Sequence, residues 1–280
     1  MRYIGINIEM TVNNHIVSYT DEGPDHAQVI ILIHGFPFNK SMWNKQVEVL
    51  IETYRVIAYD VRGHGNSTAG TDDFSIELFV DDLIGLMDAL KIDRAMLCGL
   101  SMGGYIALNA VENFPKRFGA LILCDTNCAA DTPEAREKRM KTIESIQEKG
   151  LEQYANESLK NLFAPESFVT NKEKIEVVKE MIMETSVQSL SSTLYALSRR
   201  KETCTNLANI RIPVLIMVGK EDKITPPKVA LEMQKNIKRS ILNIIEHAGH
   251  LSNIENNYDF NGQLLKFVSS VYKRKTIDTN

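Results

Sequence analysis

Residues 29–33 read Val-Ile-Ile-Leu-Ile, an unbroken run of apolar, mostly β-branched side chains. Such a run predicts a strand buried on both faces, as in a parallel sheet. Short, largely apolar stretches that also read as strands recur at 54–59, 95–98, 120–124, 214–218 and 241–245. Ahead of them, 4–10 and 16–19 flank the turn signal Asn13-Asn14 and predict a hairpin. Between the runs the apolar period changes to that of a helix. Ser75 opens one helix, with Ile76, Phe79, Val80, Leu83, Ile84, Met87 and Leu90 at helical spacing. Others are predicted over 41–52, over 103–113 before Pro115, over 227–236, and finally through Leu264, Leu265 and Val268. Strand and helix in alternation mean an open, mostly parallel, twisted sheet of about eight strands with helices on both faces.

The alternation lapses between 127 and 210, where only helical patterns occur. Pro133 follows Thr132 at a helix start. Leu151, Ala155, Leu159 and Leu162 form one stripe; Val187, Leu190, Leu194 and Leu197 form another. Thr170-x-x-Glu173 reads as a capping box ahead of Ile175, Val178 and Ile182. The expected organisation is a core of residues 1–126 and 211–280, with 127–210 as an all-helical cap inserted into it.

Composition then excludes classes. Of 280 residues, 44% are hydrophobic and 24% charged, ordinary values for a folded domain. With 32 basic and 36 acidic side chains the net charge is −4, so no nucleic-acid partner is expected. The triplet Lys273-Arg274-Lys275 reads as a solvated tail. No apolar run nears the roughly 20 residues that cross a bilayer. The opening residues lack the pattern of a signal peptide. The expectation is therefore a cytoplasmic protein without a membrane partner, as monomer or homodimer. Its four cysteines, Cys98, Cys124, Cys128 and Cys204, are expected as reduced thiols. His15, in the hairpin, is expected to be exposed.

Chemistry concentrates at Gly99-Leu100-Ser101-Met102-Gly103-Gly104, between a predicted strand and a predicted helix. Glycines at this spacing permit a sharp strand-to-helix turn. The serine hydroxyl then stands at the carboxyl end of the sheet, over a helix N-terminus. A serine needs a base in reach, and the base needs an orienting acid. His250 follows the last strand, at the same sheet edge, and is the candidate base; His247 is a neighbour. Asp222, after the strand at 214–218, is the candidate acid, with Asp125 as the alternative. A developing oxyanion needs two N–H donors. Met102 supplies one, and Phe36, in the loop His34-Gly35-Phe36-Pro37, the other. His34 reads as a loop anchor. Asp60 and Arg62 read as braces of a glycine-rich loop.

Five segments carry a resemblance: HGFP at 34–37, DVRGHGNS at 60–67, GLSMGG at 99–104, GKEDKITP at 219–226 and HAGHLSNIE at 247–255. Together they resemble the α/β-hydrolase superfamily, in its branch of small bacterial esterases, enol-lactonases and cofactor-free haloperoxidase-like enzymes. The resemblance implies Ser101, Asp222 and His250 as nucleophile, acid and base. It implies the hydrolysis of a small-molecule ester or lactone through an acyl-enzyme, without cofactor or metal. A carbon–carbon bond hydrolase acting on vinylogous diketones, and a ligand receptor with slow turnover, are the alternatives. Expected pocket residues between sheet and cap are Phe36, Phe38, Trp43, Met102, Leu162, Phe163, Tyr195 and Leu251.

Overall fold

Alternation inside the buried strands divides the sheet's two faces. Ile31, Ile33, Ile57, Leu97, Leu121, Leu123 and Ile216 pack on one side, with Phe79, Leu83, Ile106 and Ala110. Ile30, Leu32, Val56, Cys98, Ile122 and Leu215 pack on the other, with Trp43, Leu50, Phe260 and Leu264. A side chain of this kind contributes roughly 1.5–3 kcal/mol when fully buried.

The computed structural model describes residues 5–277, and side chains over 5–271. Ile4 and the side chains of the Lys273-Arg274-Lys275 triplet lie outside the described residues. The strands are β1 (Gly5–Val12), β2 (His15–Glu22), β3 (Val29–Ile33), β4 (Arg55–Tyr59), β5 (Ala95–Leu100), β6 (Phe118–Cys124), β7 (Val214–Gly219) and β8 (Ser240–Ile245). They form one sheet in the order β1-β2-β4-β3-β5-β6-β7-β8. β2 pairs antiparallel with β1 and β4, and the pairs from β3 onward are parallel.

The helices among the described residues are α1 (Asn44–Leu50), α2 (Ile76–Ala89), α3 (Met102–Asn113), α4 (Pro133–Lys149), α5 (Leu151–Leu162), α6 (Ser167–Thr170), α7 (Lys172–Glu184), α8 (Val187–Arg199), α9 (Pro227–Asn236), α10 (Ser252–Glu255) and α11 (Asn257–Ile277). The triplet's backbone continues α11. Two starts follow the sequence signals closely. Ser75 Oγ accepts from Leu78 N–H at 3.0 Å, and Thr132 Oγ1 from Ala135 N–H at 3.2 Å. No helix among them is long and apolar enough to cross a membrane.

Three expectations are corrected. Thr170 does not open a helix. It ends α6, its hydroxyl donating to the Glu166 carbonyl at 3.1 Å, and α7 starts beyond it at Lys172. An earlier short helix uses up the residue that would have capped the later one. His15 is buried, because the pleat of β2 places it on the same side as Val17 and Tyr19. Its Nδ1 lies 3.7 Å from Asp82.

The third correction concerns the thiols. Cys98 and Cys124 are free and buried, but Cys128 and Cys204 form a disulfide. The bond joins the chain just after β6 to the chain just before β7. It therefore ties together the two ends of the helical excursion α4–α8, closing a sequence separation of 76. Reduced thiols are the expectation for a cytoplasmic protein, and this pair departs from it. Closing so long a loop restricts the unfolded chain, which is worth about 2–4 kcal/mol. Replacing both cysteines with serine should lower the melting temperature by about 5–10 °C. Calorimetry of the double variant, with an unchanged melting temperature as the contrary result, checks this.

Candidate functional site

The turn from β5 into α3 sets the geometry. Ser101 has φ 53° and ψ −111°, a left-handed conformation that L side chains rarely adopt. Two glycines make the bend possible by leaving out a side chain. A Cβ on Gly99 would sit 2.2 Å from the Gly103 carbonyl oxygen, and one on Gly103 would sit 2.2 Å from that of Ile33. The bend is held by Ser101 N–H donating to Cys124 O at 2.9 Å and by Thr126 Oγ–H donating to Ser101 O at 2.7 Å. Ser101 precedes the first turn of α3, and Met102 opens it. The Met102 N–H therefore has no acceptor within the helix.

From the far end of the chain, the loop after β8 brings His250 against this turn. His250 Nε2 lies 2.9 Å from Ser101 Oγ, and His250 Nδ1 lies 2.8 Å from Asp222 Oδ2. With Asp222 accepting, the network places the ring proton on Nδ1 and leaves Nε2 free to accept from the serine hydroxyl. Asp222 is itself held by Ile224 N–H, Thr225 N–H and Thr225 Oγ–H at 2.8, 2.9 and 2.7 Å. Burial pushes its carboxyl up, but the His250 imidazole and the Thr225 hydrogen bonds outweigh burial and hold it below the usual carboxylate range. Serine, histidine and aspartate are 9%, 2% and 3% exposed, so the group is almost dry while one edge reaches solvent.

Asp125, the alternative acid, has a different set of partners. Its Oδ1 accepts Gly219 N–H at 2.8 Å, and Oδ2 accepts Ser252 Oγ–H at 2.5 Å. Burial, with Asp222 nearby, pushes its carboxyl well up. It braces the end of β7 and the loop that carries His250.

Two further loops frame the serine. His34 Nε2 accepts Val61 N–H at 2.9 Å, so its Nδ1 carries the proton given to Gly35 O at 2.8 Å. A neutral, fully buried imidazole thus pins the loop that presents Phe36. Behind it, His64 is driven down to about 3 by burial, and its ring meets Phe36 edge-on at 6.1 Å. Asp60 accepts from Lys40 N–H, Lys40 Nζ and Asn66 N–H, and Arg62 forks onto Asp82 at 2.7 and 2.8 Å. Both residues are spent on holding loops. Among the described residues no group of three or more His, Cys, Asp or Glu is gathered as metal ligands would be.

The apolar candidates divide. Phe36 is half-buried and packs against Leu190 and Leu194 of α8 and Ile146 of α4. Met102 is buried beside it in the sheet-facing core. Leu162 and Phe163 adjoin the base, because His250 N–H donates to Leu162 O at 2.8 Å. Leu251 follows the base and is fully buried. Phe38 and Trp43 are fully buried too, Trp43 with its ring 6.3 Å from that of Phe260. Tyr195 is 48% exposed and lies under the Arg199 guanidinium at 5.1 Å. The helical period turns Leu190, Leu194 and Leu197 inward and leaves position 195 on the outer side.

Sequence reasoning passed over Thr225, Ser252 and Glu255. All three stand within the quoted motifs. Their roles depend on partners that only the fold brings near.

Residues 28–167 match a family model described as alpha/beta hydrolase fold. The chain is 29% identical over 252 residues to 3-oxoadipate enol-lactonase 2 of Acinetobacter baylyi, spanning 90% of this chain and 92% of that one. Among solved structures it superimposes on a thermophilic esterase from Thermogutta terrifontis with a TM-score of 0.89 at 30% identity, over 94% of this chain and 98% of that one. An enol-lactonase from Burkholderia xenovorans LB400 gives 0.87 at 28% identity, over 94% and 100%. On the matched residues, the strand order and these likenesses, the chain belongs to the α/β-hydrolase-fold family.

Proposed function

We propose that the protein is a serine hydrolase that cleaves carboxylic esters, lactones among them, with a small to medium acyl group. The observation that carries this reading is the 2.9 Å approach of His250 Nε2 to Ser101 Oγ, with Asp222 behind the imidazole. The esterase and enol-lactonase relatives support the bond type. In the proposed reaction Ser101 Oγ attacks the substrate carbonyl carbon while His250 takes the hydroxyl proton. The tetrahedral oxyanion is received by the N–H groups of Phe36 and Met102. His250 then gives its proton to the departing alkoxide, leaving an acyl group on Ser101. A water attacks this ester, loses a proton to His250, and the acid leaves as the serine regains its hydrogen. Asp222 stays ionised throughout and stabilises the imidazolium.

Serine, rather than a carboxylate, fits acyl chemistry: its intermediate is a carboxylic ester, open to the same attack that formed it. The chemistry asks for no cofactor. The excursion α4–α8 serves as the cap, and Phe36, Met102, Leu162, Phe163 and Leu251 are the pocket residues of this reading. A panel of p-nitrophenyl esters, an enol-lactone and a vinylogous diketone, run on the wild type and on Ser101→Ala, tests it. Serine-dependent turnover of esters or the lactone is expected. Turnover of the diketone alone, or ester turnover that survives loss of the serine hydroxyl, would overturn it.

A further inference from the structure

One buried acid takes no part in the chemistry proposed above. Glu255, at the end of α10, is 5% exposed. Its Oε1 accepts Gly249 N–H at 2.7 Å. Its Oε2 accepts Ala164 N–H at 2.8 Å and Ser167 Oγ–H at 2.6 Å. The side chain thus joins the residue before His250 to the turn that follows α5. Lys174 Nζ donates to the Glu255 backbone carbonyl at 3.0 Å, so the side-chain oxygens are served by neutral donors. Burial pushes the carboxyl up, against the pull of those hydrogen bonds. A carboxylate is costly to hold in such a place unless its geometry is of use.

The surroundings show what that use is. Gly249 has no room for a side chain: a Cβ would come within 2.8 Å of Ala164 N and of Leu162 O. His250 N–H donates to Leu162 O at 2.8 Å. Beyond the histidine, Ser252 is tied to Asp125. The base is therefore fixed from both sides: on its N-terminal side Glu221 N–H, in the loop after β7, donates to Ala248 O at 2.9 Å, and the helical excursion supplies the Leu162 carbonyl. One carboxylate can accept from both segments at once. An amide of the same shape cannot: whichever way it turns, its NH2 faces either Gly249 N–H or Ala164 N–H.

We propose that Glu255 is a positioning residue, clamping the peptide before His250 to the turn at 162–167, so that the aim of the imidazole at Ser101 depends on how the excursion is seated. The inference rests on the ester-hydrolase reading above. Aim matters because a misplacement of about 1 Å can cost on the order of 100-fold in rate.

Glu255→Gln, assayed with p-nitrophenyl acetate and with a fluorophosphonate probe, tests the proposal. The variant is expected to lose about 10- to 100-fold in kcat with KM nearly unchanged. Its rate of labelling by the probe should fall in parallel, because both reactions need the base in place. A thermal melt establishes that the variant is folded. Ser167→Ala keeps the carboxylate and both amide donors and should show a smaller, few-fold loss of kcat. A folded Glu255→Gln with wild-type kcat and labelling rate, or with a raised KM and intact kcat, overturns the proposal. If Glu255→Gln does not fold, Ser167→Ala decides: a kcat deficit at constant KM supports the clamp, and wild-type kcat removes it. Failure of the underlying reading looks different, since the wild type itself would then neither turn over the ester nor take the label.

Discussion

Ser101→Ala is expected to lower kcat/KM for a short p-nitrophenyl ester by about 10⁴- to 10⁶-fold, with the fold intact. Such a loss corresponds to roughly 5–8 kcal/mol of transition-state stabilisation. The size follows from the way the residues act together. Once the hydroxyl is gone, His250 and Asp222 have nothing to activate. Residual rate comes only from the oxyanion donors and from binding. Alanine still leaves a Cβ at a left-handed position, as serine does, so backbone strain changes little. A circular dichroism melt close to that of the wild type would separate lost chemistry from lost structure. A variant that keeps a tenth of the activity would show that the hydroxyl is not the nucleophile.

Asp222→Asn and Asp125→Asn should behave very differently, although both acids are buried near the same sheet edge. At 222 the carboxylate accepts His250 Nδ1–H and is held ionised. An amide there can turn its NH2 toward the ring and favour the wrong tautomer, with the proton on Nε2. A loss of about 10⁴-fold in kcat is expected. At 125 the carboxyl is pushed well up by burial and accepts from Gly219 N–H and Ser252 Oγ–H. A neutral amide of the same shape can still accept from Gly219 and can donate to the Ser252 oxygen. Activity should stay within a few-fold of the wild type. Steady-state kinetics on the two variants checks the contrast. Equal losses, or the larger loss at 125, would move the acid to the other strand end.

Local patterns were the readable part. Apolar runs predicted β3 to β8, because a strand inside a parallel sheet is rich in such residues, and the turn signal Asn13-Asn14 predicted the hairpin of β1 and β2. Ser101 was legible because the glycines around it are required by a turn only a few residues long. His250 and Asp222 were legible by position, since strand ends in such a sheet share one edge. What stayed hidden depends on contacts made across the chain. Glu255 meets Ala164 across 91 residues, and nothing in its neighbours' identities signals that partner. The disulfide joins cysteines whose spacing matches no short motif. Trp43 and Tyr195 show the limit for aromatic residues. Hydropathy describes a buried aromatic and an outward-facing one alike, and only packing separates them.

The central claim is that a histidine arriving from the carboxyl-terminal quarter of the chain makes one strained serine reactive. A fluorophosphonate label, followed by peptide mapping in a mass spectrometer, tests it most directly. The expected result is a single adduct on Ser101, formed quickly by the wild type and slowly by His250→Ala. An adduct on another residue, or labelling of Ser101 at the same rate with the imidazole removed, would contradict it.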